Sequence, residues 1–575
     1  MGAHRTTSED FFRRCLLAAA LTLFVAIVYA PSLKAGFIYD DVRVILRQAV
    51  PESLSDIFEV FAEPHYEGLP YYRPVTRLTF LVQKLLHGDD PLPFHLFNVL
   101  LIAGTACWVF VLLQRPAFAI PPELAALAAA VFTVHPVASS CVYPIASGRE
   151  TLLPVFFMIG ALDAFLRSGR AWRIAAIALF GLALFSKEQA VILLPLLVVA
   201  DLLGLSEDAP AGGLHSWVRR YWPFILIEGA YFVVRGQLFA GTEYRVAGHP
   251  ALVALTPIYA MQMMITPFVA LVYEPVAVES WLSPVRVLVG LSVLSSIIAS
   301  GRRGWAGVRR PVFFWVSAFF LSLLPTANIF EQDTPYDERY VYLGLLSFVS
   351  IAALVLARPW SRSASRWQLR IAALLVITCC AAITLHRGVY FRDDEAFHRQ
   401  WARTSPGYFL PHHNLAAALY ARGKTRQAER QYLRSIELNP RWPDSYLNLA
   451  IIYLEGGRYE RALGFARRYA DLKPDSAKAQ YSLALVLQNL ERNDEAMAHY
   501  LRTLELDPMN AEAHNNLGVL YDELGQTDQA LMHYRAALAI DPGKEGTRRN
   551  IRLIEERNPR DSPAAGGEAP AAKDR

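Results

Sequence analysis

Cysteine is scarce in this chain of 575 residues: Cys15, Cys107, Cys141, Cys379 and Cys380 are all there is. None stands at metal-ligand spacing, and most lie in or beside apolar runs. That excludes a disulfide framework and a cysteine-built zinc site. Charge is scarce too. Asp, Glu, Lys and Arg make up 19% of the residues, against about 25% in an average soluble domain. The formal net charge of +4 is small for the length and gives no basis for nucleic-acid binding. What is abundant is apolar surface, at 54% of residues with a mean hydropathy of +0.24. It is unevenly spread: long apolar runs fill 15–386, whereas 387–556 reads as charged, soluble helix.

A helix needs about 20 mostly apolar residues to span a bilayer. Segments 15–33, 94–114, 122–140, 151–167, 171–186, 189–206, 221–239, 284–300, 311–329, 340–357 and 370–386 meet that reading, about eleven spans. The stretch 255–273 is a twelfth span or a re-entrant segment. Arg13 and Arg14 before the first run resemble a signal-peptide start. No clean cleavage site follows, so a retained first span is expected. Basic residues gather in four short connections: Arg167/Arg170/Arg173, Arg219/Arg220, Arg302/Arg303/Arg309/Arg310 and Arg358/Arg362/Arg366/Arg370. The positive-inside rule puts these and the 1–14 terminus in the cytoplasm. With 255–273 not crossing, the loop 34–93, the other outer connections and everything from 387 onward lie on the outer face.

After residue 408 the chain repeats itself. Pro440, Pro474, Pro508 and Pro542 recur every 34 residues, the tetratricopeptide period. Small residues recur in register (Ala416, Ala450, Ala484, Gly518, then Ala428, Ala462, Ala496, Ala530), as do Leu415, Leu449, Leu483 and Leu517. Each repeat is expected to be a helical hairpin, and stacking four of them over 408–556 buries a continuous core. Asn414, Asn448, Ser482 and Asn516 share one repeat position. An amide there can donate to and accept from an extended peptide backbone; a solvated or capping role fits it equally. Residues 387–407 form a connector, and 557–575, rich in Pro, Ala, Gly and charge, reads as a disordered tail.

The first outer loop carries adjacent carboxylates, Asp40 and Asp41, just after the first span. A carboxylate there can take the proton from an attacking hydroxyl, and a leaving phosphate needs cationic donors. Arg73, Arg149, Lys187 and Arg339 lie near outer span ends, with Glu150, Glu188 and Glu338 beside them to orient them. Each cation also fits a residue that merely snorkels to the interface, and Asp41 also fits a helix cap. Asp163 and Glu228 lie within spans, where acids draw functional suspicion. His135-Pro136 reads as a helix end.

The ordered motifs Phe37-Ile38-Tyr39-Asp40-Asp41, Tyr72-Arg73-Pro74-Val75-Thr76, Phe94-His95-Leu96-Phe97-Asn98-Val99, Val134-His135-Pro136-Val137, Ser147-Gly148-Arg149-Glu150, Ser186-Lys187-Glu188-Gln189 and Glu338-Arg339-Tyr340-Val341-Tyr342 resemble the transmembrane and tetratricopeptide repeat-containing protein O-mannosyltransferases. The resemblance runs over nearly the whole chain. It implies an all-α, GT-C-like membrane domain over 15–386 followed by the repeat solenoid. It implies a polyprenyl-phosphate sugar, typically mannose, as donor substrate, a protein Ser or Thr hydroxyl as acceptor, Asp40 and Asp41 as the catalytic pair, and no metal or other cofactor. The four repeats and the Ala571-Ala572-Lys573-Asp574-Arg575 ending fit a bacterial inner-membrane relative with catalytic loop and repeats in the periplasm; a eukaryotic member would sit in the endoplasmic reticulum. A non-enzymatic scaffold and a lipid or solute transporter are the alternatives. The orientation is directly testable. A reporter fused at residue 390 is expected to signal the outer face, and a cytoplasmic signal would put the repeats and the acidic loop on opposite sides.

Overall fold

The computed structural model describes residues 8–38, 40–46, 60–61, 65, 71–210, 212–239, 256–257, 260–261, 263–265, 308–326, 337–361 and 366–557. The expected span 284–300, the tail 558–575, most of 255–273 and part of the loop 34–93 lie outside them. The described residues form helices and turns, without strands. They divide into two compact units, Met1–Ser405 and Pro406–Arg575.

In the first unit, α1 covers Ser8–Tyr29, α2 Pro74–His87, α3 Pro91–Leu113, α4 Pro122–Val134, α5 Pro136–Val142, α6 Ala146–Leu166, α7 Arg170–Ser186, α8 Leu193–Leu202 and α9 Leu214–Leu238. Then come α10 Arg309–Leu323, α11 Glu338–Ser361, α12 Arg366–Gly388 and α13 Asp394–Thr404. Proline opens α2, α3, α4 and α5, at the one helical position where its missing N–H costs nothing. The Asp90 side chain caps α3 by accepting from the Leu92 amide at 3.0 Å. Helix α6 forms a hairpin with α7 and packs on α3, which in turn contacts α1 and α4.

Every expected span that is described is helical, but fewer of the helices could cross a membrane alone. Ser8–Lys34, Pro91–Leu113, Glu338–Ser361 and Trp367–Phe391 are long and apolar enough by themselves. Helices α4 and α5 qualify only together, bent by 60°. The eleven-span reading is corrected to four, or five with the bent pair, among the described residues. The reason is visible in the sequence of each remaining helix. The α7, α8 and α10 helices have 17, 10 and 15 residues, short of a full crossing. The α6 helix carries Arg149, Glu150 and Asp163, and α9 carries Arg219, Arg220, Glu228 and Arg235.

The α4–α5 bend falls at His135-Pro136, the expected helix end. Pro136 cannot continue α4, and His135 Nδ1 accepts the Val137 amide at 3.3 Å to start α5. Asp163 proves to be structural. It accepts from Arg115 Nε at 2.6 Å and Arg167 Nη2 at 2.5 Å. Asp201 is held in the same way by Arg220 and by the Tyr221 hydroxyl at 2.6 Å.

The second unit stacks four hairpins: α14 Phe409–Ala421 with α15 Thr425–Leu438, α16 Pro443–Glu455 with α17 Tyr459–Leu472, α18 Ala477–Asn489 with α19 Asn493–Leu506, and α20 Ala511–Glu523 with α21 Thr527–Ile540. A further helix, α22 at Glu545–Arg557, packs on α21. The small series does what its spacing implies. Ala428, Ala462, Ala496 and Ala530 are fully buried, and a Cβ at Gly518 would meet the Tyr534 ring at 2.7 Å. The turn inside each hairpin needs a left-handed residue. Gly423, Gly457 and Gly525 supply it at φ +72°, +67° and +72°. In the third repeat Glu491 takes the position at φ +58°, where a side chain costs about 1–2 kcal/mol. Glu491→Gly is therefore expected to stabilise that hairpin by about 1 kcal/mol. Slower hydrogen exchange across 477–506 in the full chain would register it, and unchanged exchange would contradict it.

Candidate active site

The chain leaving α1 turns sharply at Ile38–Asp41. The Asp41 amide donates to the Ile38 carbonyl at 3.0 Å, and the Ile38 amide donates back to Asp41 Oδ2 at 3.0 Å. The same carboxylate reaches across to the start of α6. It accepts from the Ala146 amide at 2.6 Å and the Ile145 amide at 3.3 Å. Ile145, the residue before α6, offers no side-chain cap of its own. Asp41 thus caps α6 from a distant part of the sequence, satisfying amides that a helix leaves unpaired. It is fully buried. Burial raises its carboxyl to about 7 against the lowering effect of those amides. Asp40, one residue earlier, is partly exposed.

The motif cations and acids converge at the same end of α6. Arg73, just ahead of α2, donates Nη1 to Glu150 Oε2 at 2.5 Å. Its Nε and Nη2 grip the Glu188 carboxylate at 3.0 and 2.5 Å. Glu150 Oε1 lies 2.9 Å from His65 Nε2, and Thr76 Oγ1 donates to the Ser186 carbonyl at 2.8 Å. Arg73, Glu150, Glu188 and His65 therefore form one network tying α2, α6 and the residues after α7. Lys187 sits within its field, but its ammonium makes no ion pair or hydrogen bond among the described residues. Burial first and Arg73 second lower its ammonium to about 8. Burial alone would raise the Glu188 carboxyl, but Arg73 and Lys187 outweigh it and hold it at about 2. Burial lowers the His65 imidazole in spite of its bond to Glu150.

A second node stands where α11 begins. Asp337 holds Arg339, with Arg339 Nε at 2.7 Å from its Oδ2. Glu338 accepts from Arg387 Nη2 and from Ser140 Oγ.

These contacts reassign several expected roles. Arg149 is fully buried, and each nitrogen of its guanidinium donates one hydrogen bond. Nε donates to Asn98 Oδ1 at 3.1 Å, Nη2 to the Phe94 carbonyl at 3.0 Å and Nη1 to Thr79 Oγ1 at 3.4 Å. The rings of Phe80 and Phe97 each lie 4.5 Å from it. Arg149 thus serves as an internal tie between α6, α3 and α2. Glu150 orients Arg73 rather than Arg149, and Glu338 orients Arg387 rather than Arg339. Sequence reasoning passed over His65, Asp337 and Arg387. Asp337 adjoins a motif and was within reach of it. His65 and Arg387 carry no signal at all, because their partners lie 85 and 49 residues away.

The asparagine series makes contacts within the solenoid. Asn516 Nδ2 donates to the Tyr500 and Tyr481 hydroxyls at 3.0 and 3.3 Å. Asn550, one period on, donates to Tyr534 at 3.4 Å. Asn448 bonds Tyr432 in the same way. Where the tyrosine gives way to Ala466, the asparagine gives way to Ser482, which turns back on the Lys478 carbonyl at 2.7 Å. The series ties each repeat to the one before it. Asn414, partly buried, heads that series in the first repeat.

Among the described residues no group of three or more His, Cys, Asp or Glu side chains is placed to hold a metal ion.

Fold and site together define a helical protein in which helices long and apolar enough to cross a membrane are followed by tetratricopeptide repeats. Residues 413–477 and 481–545 match the family model described as tetratricopeptide repeat. The chain is similar to protein O-mannosyl-transferase F38B6.6 of Caenorhabditis elegans, 23% identical over 74% of this chain and 63% of that protein. It is also similar to the Drosophila melanogaster protein O-mannosyl-transferase Tmtc1, 23% identical over 75% and 62%. Human protein O-mannosyl-transferase TMTC4 is 28% identical over 32% and 29%. The resemblance that the motifs carried is thereby borne out, and the chain spans less than two thirds of the length of these relatives. Among solved structures, MamA matches at 25% identity over 25% of this chain and 83% of its own, with a TM-score of 0.24.

The buried Asp41 makes stability depend on pH. Its folded-state value lies above the unfolded one, so the folded protein holds the extra proton between them. The contribution is full at acid pH and is lost as pH rises towards about 7, because there the folded state binds more protons than the unfolded one. The melting temperature of the wild type is expected to fall more between pH 5 and pH 8 than that of Asp41→Asn. Parallel falls in the two proteins would refute the assignment.

Proposed function

We propose that this chain is a membrane-embedded glycosyltransferase. It moves a sugar, mannose by the names of its relatives, from a polyprenyl-phosphate carrier to a Ser or Thr hydroxyl of a polypeptide. The observation that carries the reading is the division between the two acids. Asp41 is consumed in capping α6, which leaves Asp40, partly exposed beside it, to act as base.

Asp40 would take the hydroxyl proton as the oxygen attacks the sugar's anomeric carbon. The bond from that carbon to the phosphate oxygen breaks, and the lipid phosphate leaves with the electron pair. Attack from the face opposite the phosphate inverts the anomeric centre. The departing charge is received by Lys187, with Arg73 and Arg339 behind it. Arg73 already faces two carboxylates and Arg339 one, so Lys187 is the cation with most to offer an incoming anion. A phosphate would in turn raise its lowered ammonium back towards full protonation. No metal or other cofactor enters this scheme.

The tetratricopeptide unit would present the acceptor polypeptide, through its groove rather than through the asparagine series. In a bacterium the loop and the repeats would face the periplasm from the inner membrane.

Asp40→Asn is expected to lower transfer by roughly 10²–10⁴-fold while membrane insertion stays intact. The assay is purified protein with radiolabelled polyprenyl-phosphate sugars and a Ser/Thr acceptor. Normal transfer by Asp40→Asn would sink the mechanism.

A further inference from the structure

A groove of about 430 Å³ runs between α7 and α9. One wall is Ile174, Ile177, Ala178, Gly181 and Phe185, and Ile227 forms the other. The five α7 positions fall at i, i+3, i+4, i+7 and i+11, which is one stripe along one face of a helix. From Ile174 to Phe185 the stripe rises ~16 Å along the helix axis. Gly181 keeps it open. A Cβ there would lie 3.8 and 3.9 Å from two Ile227 carbons, so any longer side chain would project into the groove. At its upper end an aromatic cluster closes it. Phe185 packs edge-on against Tyr231 at 5.6 Å and Tyr72 at 6.1 Å between ring centres. The Tyr231 hydroxyl donates to the Tyr72 carbonyl at 3.4 Å. Two residues beyond Phe185 stands Lys187, whose ammonium makes no ion pair among the described residues.

We infer that this groove holds the prenyl chain of the phosphate-linked donor, with the phosphate at Lys187. The inference rests on the lipid-phosphate donor of the proposed function and gives its tail a place. Several features favour this occupant. Every lining side chain is apolar, so a sugar or a peptide would lose its hydration there with nothing in exchange. The groove is a single stripe, which suits one chain rather than the two of a phospholipid. It runs along the helix axis towards Phe185, two residues before Lys187, matching an apolar tail with an anionic head. Aromatic residues mark that end, as they do where helices meet the headgroup zone.

The test reads binding, not transfer. The full chain is reconstituted in phosphatidylcholine nanodiscs and titrated with a radiolabelled long-chain polyprenyl phosphate, and separately with the matching polyprenol. Gly181→Phe, and Ile177→Trp as an independent obstruction, are expected to weaken polyprenyl phosphate binding at least tenfold. Gly229→Phe places the same bulk on α9 where a Cβ meets nothing within 4 Å, and it should bind as the wild type does. Lys187→Met should weaken the phosphate and leave the polyprenol unchanged. Wild-type affinity in both obstructed variants overturns the inference, and so does equal displacement by phosphatidylglycerol, which would mean annular lipid only. Groove-dependent binding by a protein that transfers no sugar would leave the inference standing and remove the proposed reaction.

Discussion

The guanidinium of Arg73 is the joint on which the membrane unit's site depends. It engages Glu150 on α6 with one nitrogen and Glu188 beyond α7 with two. Three motifs far apart in the chain are thereby brought to one point. The geometry is costly to leave incomplete. Desolvated ions repay their burial only when paired and hydrogen-bonded, and an abandoned partner costs roughly 3–5 kcal/mol. Two carboxylates on one guanidinium, with His65 completing Glu150, meet that condition. The same junction fixes Lys187, which precedes Glu188 and has no freedom to lie elsewhere. A cation ready for an anion is thus a by-product of a joint that satisfies itself.

Charge at the other end of α6 serves a different purpose. That helix has 21 residues, and its Glu150 and Asp163 lie ~20 Å apart along the axis. At the far end Asp163 is closed off by Arg115 and Arg167, and Asp201 by Arg220 and Tyr221. Those pairs complete one another and offer nothing outward. At the near end the pairing stops one residue short, at Lys187. Acids inside spans invite functional readings, but the partners decide, and here they leave Asp163 and Asp201 paired with arginines.

The repeats were legible because their signal is local and repeated. One small residue every 34 positions has one physical cause, the close approach of two helices, and four copies leave little room for another. The convergence of the motif charges was legible too, since the outer ends of spans share a surface. Their pairing was not. Arg149 and Arg73 look alike in sequence, yet Arg149 is enclosed by Phe80, Phe94 and Phe97 while Arg73 faces the acids. Only helix packing across gaps of 77 and 115 residues makes that choice. Span counting failed for a related reason. A helix surrounded by other helices need not be long or uniformly apolar, so α6 tolerates charge and α8 is short. The asparagine series misled because a polar ladder on a solenoid has two uses. The missing tyrosine at Ala466, matched by the missing asparagine at Ser482, was the internal clue that separates them.

The acidic doublet follows from helical geometry. Consecutive residues in a helical turn point about 100° apart, so two adjacent carboxylates set out in different directions. If one turns inward to hold the amides of α6, the other must turn away from them. Asp41 takes the inward place and is buried by it, and Asp40 is left at the surface of the same turn. The clamp matters to the neighbour it excludes. It attaches the loop to the N-terminus of α6, whose second turn carries Glu150 and so the Arg73 junction. The proposed base and cation are therefore both tied to one helix end. The spacing between Asp40 and Lys187 is held through Asp41, a residue that on this reading never touches the sugar.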